Sequence, residues 1–187
     1  VRIAAQAVHG LAGYSSAGHM VGVKRFERAL HALSTSSVEA PCVVQHPLSA
    51  APSLGISWSE LHPAIHPTAA GVPAARATRK CWQIESVLHL AMLLADEEHA
   101  HVVDFAGGSG ALGVPLAALL PASRVTIVDV NATSLEIAQR RAESAHLTNL
   151  STWQGHISDF EDSFSLGVSL HACGAASDLA MKACIAA

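Results

Sequence analysis

The residues best placed by type and spacing to do chemistry lie in the stretch VVDFAGGSGALG, Val102 to Gly113. Asp104 sits inside an apolar run, and Gly107, Gly108 and Gly110 follow it closely enough for the backbone to turn sharply and approach a ligand. Gly108 through Gly113 satisfy GxGxxG, the spacing of a loop that holds a dinucleotide's phosphates at a helix N-terminus. A second acid, Asp129, closes the next apolar run 19 residues beyond Gly110, where a carboxylate can accept hydrogen bonds from both hydroxyls of a ribose.

The two acids narrow the ligand. A pyrophosphate beside Asp104 would meet repulsion of roughly 4 kcal/mol per charge pair at an effective dielectric of about 20. A sulfonium cofactor such as S-adenosylmethionine carries no phosphate. Its cationic groups suit the acid, and its carboxylate suits the loop N–H groups and the helix N-terminus behind them. Asp129 suits either ligand, so the literal GxGxxG keeps an NAD-dependent oxidoreductase as a competing reading.

These residues need a scaffold. The chain has 187 residues, half of them apolar, and a formal net charge of -4, which suits a folded core and argues against nucleic-acid binding by bulk electrostatics. From about residue 75 onward, helical and short apolar segments alternate, the pattern of a parallel sheet covered by helices. The pattern predicts helices over residues 75–95, 111–120 and 132–145, and a last one from Ser177 or Asp178 through Met181 and Ile185. It predicts strands over 101–105, 124–130, 150–154 and 166–170. In the first helix Ile84, Val87, Leu88, Ala91 and Leu94 form the apolar stripe, while Arg76, Arg79, Lys80 and Gln83 form a polar one. Residues 1–74 read as an N-terminal extension rich in Ser, Pro, Gly and His, with one helix over 24–33. The sequence opens on Val1 and stops at Ala187 within an unfinished apolar helical pattern, so it is expected to be a fragment.

VDFAGGSG, Val103 to Gly110, resembles motif I of the class I S-adenosylmethionine-dependent methyltransferases, and VTIVDVN, Val125 to Asn131, resembles their motif II. LHACG, Leu170 to Gly174, with the upstream ARATRKCWQIESVL, is similar to the methyltransferase domain of the glutathione S-transferase C-terminal-domain-containing family. The resemblance covers about residues 75–187. It implies an α/β, Rossmann-like, doubly wound and mainly parallel sheet, truncated here after the fourth core strand. It also implies S-adenosyl-L-methionine as cofactor, held by Asp104, Ala106, Gly107, Gly108, Gly110, Asp129, Val130, His156, Ile157, Asp159 and His171. Two positions depart from the family's pattern. Ala106 stands where a glycine is common, and alanine tolerates most backbone conformations except positive φ. His156 stands where an acid usually follows the glycine, the nearest acid being Asp159.

Methyl transfer is an in-line displacement that needs alignment and exclusion of water more than acid–base work. His171 is a candidate proton acceptor and Cys173 a candidate nucleophile, as in RNA cytosine-carbon methyltransferases, although Ala172 replaces the proline usual before that cysteine. Arg79, Lys80 and Gln83 are candidates for holding the cofactor carboxylate or an RNA substrate's phosphates. RNA, as rRNA or tRNA, is the favoured acceptor. The main alternative is a catalytically silent, methyltransferase-like part of a ribonucleoprotein assembly. No metal site is expected: His62 and His66 have HxxxH spacing, but Pro63 and Pro67 prevent the helix that would align them. The four cysteines lack CxxC spacing, and the prolines at 41, 47 and 52 interrupt the longest charge-poor run. An intracellular, reducing compartment with no membrane association is expected.

Overall fold

Fully apolar strands must be covered on both faces, and the chain achieves this by winding helices to either side of a parallel sheet. The structure, a computed structural model, describes residues 2–4, 55–71, 73–95, 99–170 and 172–187. In chain order these form β1 (Arg2–Ala4), a 3-10 turn (Pro67–Ala70), α1 (Ala74–Leu94), β2 (His101–Phe105), α2 (Gly113–Leu119) and β3 (Arg124–Asp129). Then follow α3 (Ala132–Ser144), β4 (Leu150–Gln154), a 3-10 turn (Ile157–Asp159), β5 (Leu166–Val168) and α4 (Ala175–Ala186). The helix expected over 24–33 lies outside the described residues.

Among the described residues all strand pairs are parallel and the order is β1-β5-β2-β3-β4. The chain runs from β2 outward to β4, then crosses back so that β5 lies on the other side of β2. The topology therefore reverses beside β2, and connections leaving the carboxyl ends of β2 and β5 diverge into a crevice. The glycine loop leaves β2 at that place. The four strands foreseen from the pattern make the core of the sheet, and Arg2–Ala4 adds a further strand beside β5.

Side chains alternate across the sheet. Val102, Val125, Ile127, Leu166 and Val168 face α1, α2 and α3, packing with Ile84, Leu88, Leu112, Leu116 and Leu135. Val103, Phe105 and Val128 face the other way, against Ile157, Phe160, Ala180 and Cys184. Each large apolar side chain buried in these layers contributes about 1.5–3 kcal/mol. Ile65, from the segment before α1, belongs to the first layer, with Ile56, Trp58 and Leu61 packed against it.

The helix boundaries have local causes. Asn131 caps α3, its Oδ1 accepting the Ser134 N–H at 3.1 Å. α2 starts later than the expected residue 111 because Gly110 and Leu112 still complete the turn: the Gly110 N–H donates to the Gly107 carbonyl at 3.0 Å, and the Leu112 backbone acts as cap. β5 stops at Val168, and the next residue, Ser169, donates its hydroxyl to the Phe105 carbonyl at 2.8 Å.

Candidate cofactor site

Asp104 lies on the same side of β2 as Val102, so the alternation of the strand turns it into the layer beneath α1 and α2. It is 0% exposed, and neither carboxyl oxygen has a hydrogen-bond partner. A buried carboxyl without partners strongly disfavours its charged form. Burial pushes the Asp104 pKa up to about 7. The Gly113 N–H, which faces it without meeting hydrogen-bond geometry, and the Lys80 ammonium pull it down, while Asp129 pushes it further up.

The glycine loop covers this acid. A Cβ at Gly107 would lie 2.5 Å from Asp104 Oδ2 and 2.8 Å from Ile127 Cγ2, and one at Gly113 would lie 2.5 Å from Ile127 Cγ1. Gly110 has φ of 75° and packs against Val114 and Ala138, while Gly108 has φ of 53°. These positions therefore require glycine to bring the loop down on β2 and β3. Ala106 also occupies the left-handed region, with φ of 56°. Ala106 thus adopts the conformation that alanine tolerates least.

Asp129 closes β3 beside the loop. Its Oδ2 accepts the Gly108 N–H at 2.8 Å and its Oδ1 accepts the Asn131 N–H at 2.9 Å. Each oxygen keeps lone-pair capacity for a further donor. The next residue, Val130, is 65% exposed, an apolar surface at the strand tip.

The other expected residues are not all brought together. His156 is exposed, its Nδ1 2.8 Å from the Ser158 hydroxyl, which in turn donates to Asp159. The side chain of Ile157 points away from the loop surface into the second apolar layer and is 7% exposed. Cys173 is exposed just before α4, and His171 lies outside the described residues. Lys80 and Gln83 are half-buried on α1, with Lys80 in electrostatic reach of Asp104 and its pKa lowered by burial. Arg79 is exposed. His66 serves the segment before α1: its Nδ1 accepts the Thr68 N–H at 3.2 Å and caps the first 3-10 turn.

One residue at the site escaped the sequence reading. Arg141, in α3, is 5% exposed and reaches the glycine loop, donating through Nη1 to the Ser109 carbonyl at 2.6 Å. The available signal was its place on the buried stripe of α3, between Ala138 and Ala142.

A parallel sheet whose topology reverses beside a glycine loop, with one acid beneath that loop and another at the next strand tip, defines a Rossmann-like nucleotide-cofactor fold. The family described as "Methyltransferase domain" matches residues 79–187, more than half of the chain, and the chain belongs to it. The nicotinamide reading is thereby set aside.

Among curated proteins, the glutathione S-transferase C-terminal domain-containing protein of Mus musculus is 34% identical over 134 residues, 72% of this chain and 21% of that protein. Its Xenopus laevis counterpart is 35% identical over 136 residues, 73% of this chain and 22% of that protein. The chain thus spans about a fifth of the length of these relatives. Among solved structures, magnesium protoporphyrin IX methyltransferase from Synechocystis with bound SAM is similar at a TM-score of 0.46 and 17% identity, over 52% of this chain and 47% of that one.

Proposed function

We propose that this chain binds S-adenosylmethionine across the ends of β2, β3 and β4 and serves transfer of its methyl group to a nucleophilic acceptor. The observation that carries this reading is Asp104, a wholly buried carboxyl without hydrogen-bond partners, set under a loop whose Gly107 leaves no room for a side chain. A phosphate-binding loop gains nothing from a carboxyl there, whereas a cationic ligand supplies the counter-charge that favours its ionised form. When bound, the cofactor supplies an electrophilic methyl carbon on a positively charged sulfur.

The chain's own residues supply orientation. Asp129 keeps acceptor capacity for the ribose hydroxyls, and Val130 offers an apolar surface to a flat ring. His156 and Asp159 provide polar groups at the ring's edge, where the backbone of Ile157 also lies. Gly107, Gly108 and Gly110, with Ala106, bring backbone close to the ligand. Lys80, in electrostatic reach of Asp104, and the half-buried Gln83 answer to the cofactor's carboxylate, while the exposed Arg79 is left to the acceptor. His171 is assigned to accept a proton from the attacking oxygen or nitrogen, with Cys173 on the same connection.

Calorimetric titration with S-adenosylhomocysteine, with NAD as control, tests the reading. Binding that is lost in Asp129→Ala supports it. A folded chain that binds neither compound makes this a silent module instead.

For the acceptor, RNA is favoured by the outer face of α1. Arg76 and Arg79 are exposed there, and Trp82 is 66% exposed one turn further on. Guanidinium groups beside an accessible indole match the phosphates and stacked bases of a single strand. Single-stranded RNA should quench the Trp82 fluorescence in a salt-sensitive way, with affinity reduced in Arg79→Glu. RNA that binds both forms alike removes this acceptor.

A further inference from the structure

Arg141 is a buried cation whose acceptors are all backbone carbonyls. Beside Nη1 to Ser109, its Nε donates to the Ala64 carbonyl at 2.9 Å, and its Nη2 to the carbonyls of Ile65 at 3.2 Å and His66 at 3.3 Å. Ser109 is tied a second time, its hydroxyl donating to the Ala70 carbonyl at 3.0 Å. One guanidinium on α3 therefore joins the middle of the glycine loop to a segment some 75 residues earlier in the chain. The planar fork of arginine, with donors fixed in direction, is needed to reach carbonyls on both sides; an ammonium on a flexible stem cannot hold the same set.

Burial alone pushes the Arg141 pKa down, to about 10, which still leaves it charged at neutral pH. Burying that charge is costly and is offset only by the hydrogen bonds it donates. A residue serving apolar packing alone would have no reason to carry it. The physical need lies in the loop: backbone N–H groups turned toward a ligand leave a carbonyl turned inward, and a buried carbonyl requires a donor. Ser109 presents that carbonyl and Arg141 meets it.

We propose that Arg141 is a positioning residue for the cofactor loop, and that through it residues 64–70 are an integral part of the cofactor site. The inference rests on the S-adenosylmethionine reading above. It also extends the site beyond residues 79–187, the part matched by the methyltransferase family. Loop and segment order together: fixing the Ser109 carbonyl fixes the backbone on which the ligand is received, and releasing it frees both.

The experiment compares wild type with Arg141→Lys in the full chain, by amide hydrogen exchange and by titration with S-adenosylhomocysteine. In Arg141→Lys, exchange at 64–70 and at 107–110 rises together while β3 and β4 stay protected, and affinity falls about tenfold or more. A loss of stability with unchanged affinity among folded molecules would show a merely structural role and overturn the proposal. So would faster exchange at 64–70 with none at 107–110. Should Arg141→Lys fail to fold, Ser109→Ala, which removes only the hydroxyl bond to the Ala70 carbonyl, tests the tie between the loop and residues 64–70 by the same two readouts: affinity reduced about threefold with faster exchange in both segments supports it, and unchanged affinity overturns it. A wild type that binds no S-adenosylhomocysteine overturns the cofactor reading, and linked exchange of the two segments then decides separately whether Arg141 holds the loop.

Discussion

Replacing Asp104 by asparagine removes a charge that the fold has no means of solvating, and the gain must depend on pH. The carboxyl is moved from an ordinary 3.8 to about 7. The folded state therefore holds a proton that the unfolded chain releases, and stability falls as pH rises from 3.8 through about 7, the full cost remaining above that. At about 1.4 kcal/mol per pH unit, the cost is roughly 1.5 kcal/mol at pH 5 and about 4 kcal/mol above pH 7. Asp104→Asn should thus gain about 2.5 kcal/mol on wild type between pH 5 and pH 8.5. Any fixed penalty of the amide against the Gly113 N–H cancels in that comparison. Urea unfolding of both proteins at the two pH values reads it out. For a slope of about 2 kcal/mol per molar, the difference between midpoints should widen by roughly 1 M in favour of the variant at the higher pH. A difference that does not change with pH, or that widens in favour of wild type, would refute the argument that burial without a hydrogen-bond partner, outweighing the pull of Lys80, disfavours the charged form of Asp104.

Two further outcomes follow from the same geometry. Ala106→Gly relieves a left-handed alanine worth about 1–2 kcal/mol, less roughly 0.5–1 kcal/mol for the greater freedom of glycine when unfolded. The variant should melt up to a few degrees higher, and a lower melting point would contradict the strain. His101 is buried, its Nδ1 2.7 Å from the Ser163 carbonyl and its Nε2 2.8 Å from the Thr126 hydroxyl. Burial, with Arg124 adding to it, holds its pKa below the ordinary 6.5, so its contribution is complete above pH 6.5 and is lost as pH falls through the folded value. His101→Gln should therefore lose less stability than wild type between about pH 7.5 and pH 5.5, as measured by urea unfolding.

Much of this molecule is written locally. The strands at His101–Phe105 and Leu150–Gln154 fall where the apolar runs placed them, and α3 begins where Asn131 offers a cap, because period and capping are properties of adjacent residues. α1 buries Ile84, Val87, Leu88 and Ala91, the foreseen stripe, for the same reason. The glycine loop and its two acids were also legible, since a sharp turn from strand to helix leaves a compositional mark.

What the sequence by itself determined is a parallel α/β framework with Asp104 and Asp129 at successive strand ends, because these depend on spacing along one segment at a time. Tertiary structure alone decided which way those groups face and what they meet. It set Asp104 under Gly107 without a partner, turned Ala106 to a positive φ, drew Ile157 into an apolar layer, and laid Arg2–Ala4 beside β5. It also joined Arg141 to carbonyls more than seventy residues away. Contacts between segments so distant in the chain carry no periodicity of their own, and only the packing of the whole sheet brings them within hydrogen-bonding distance.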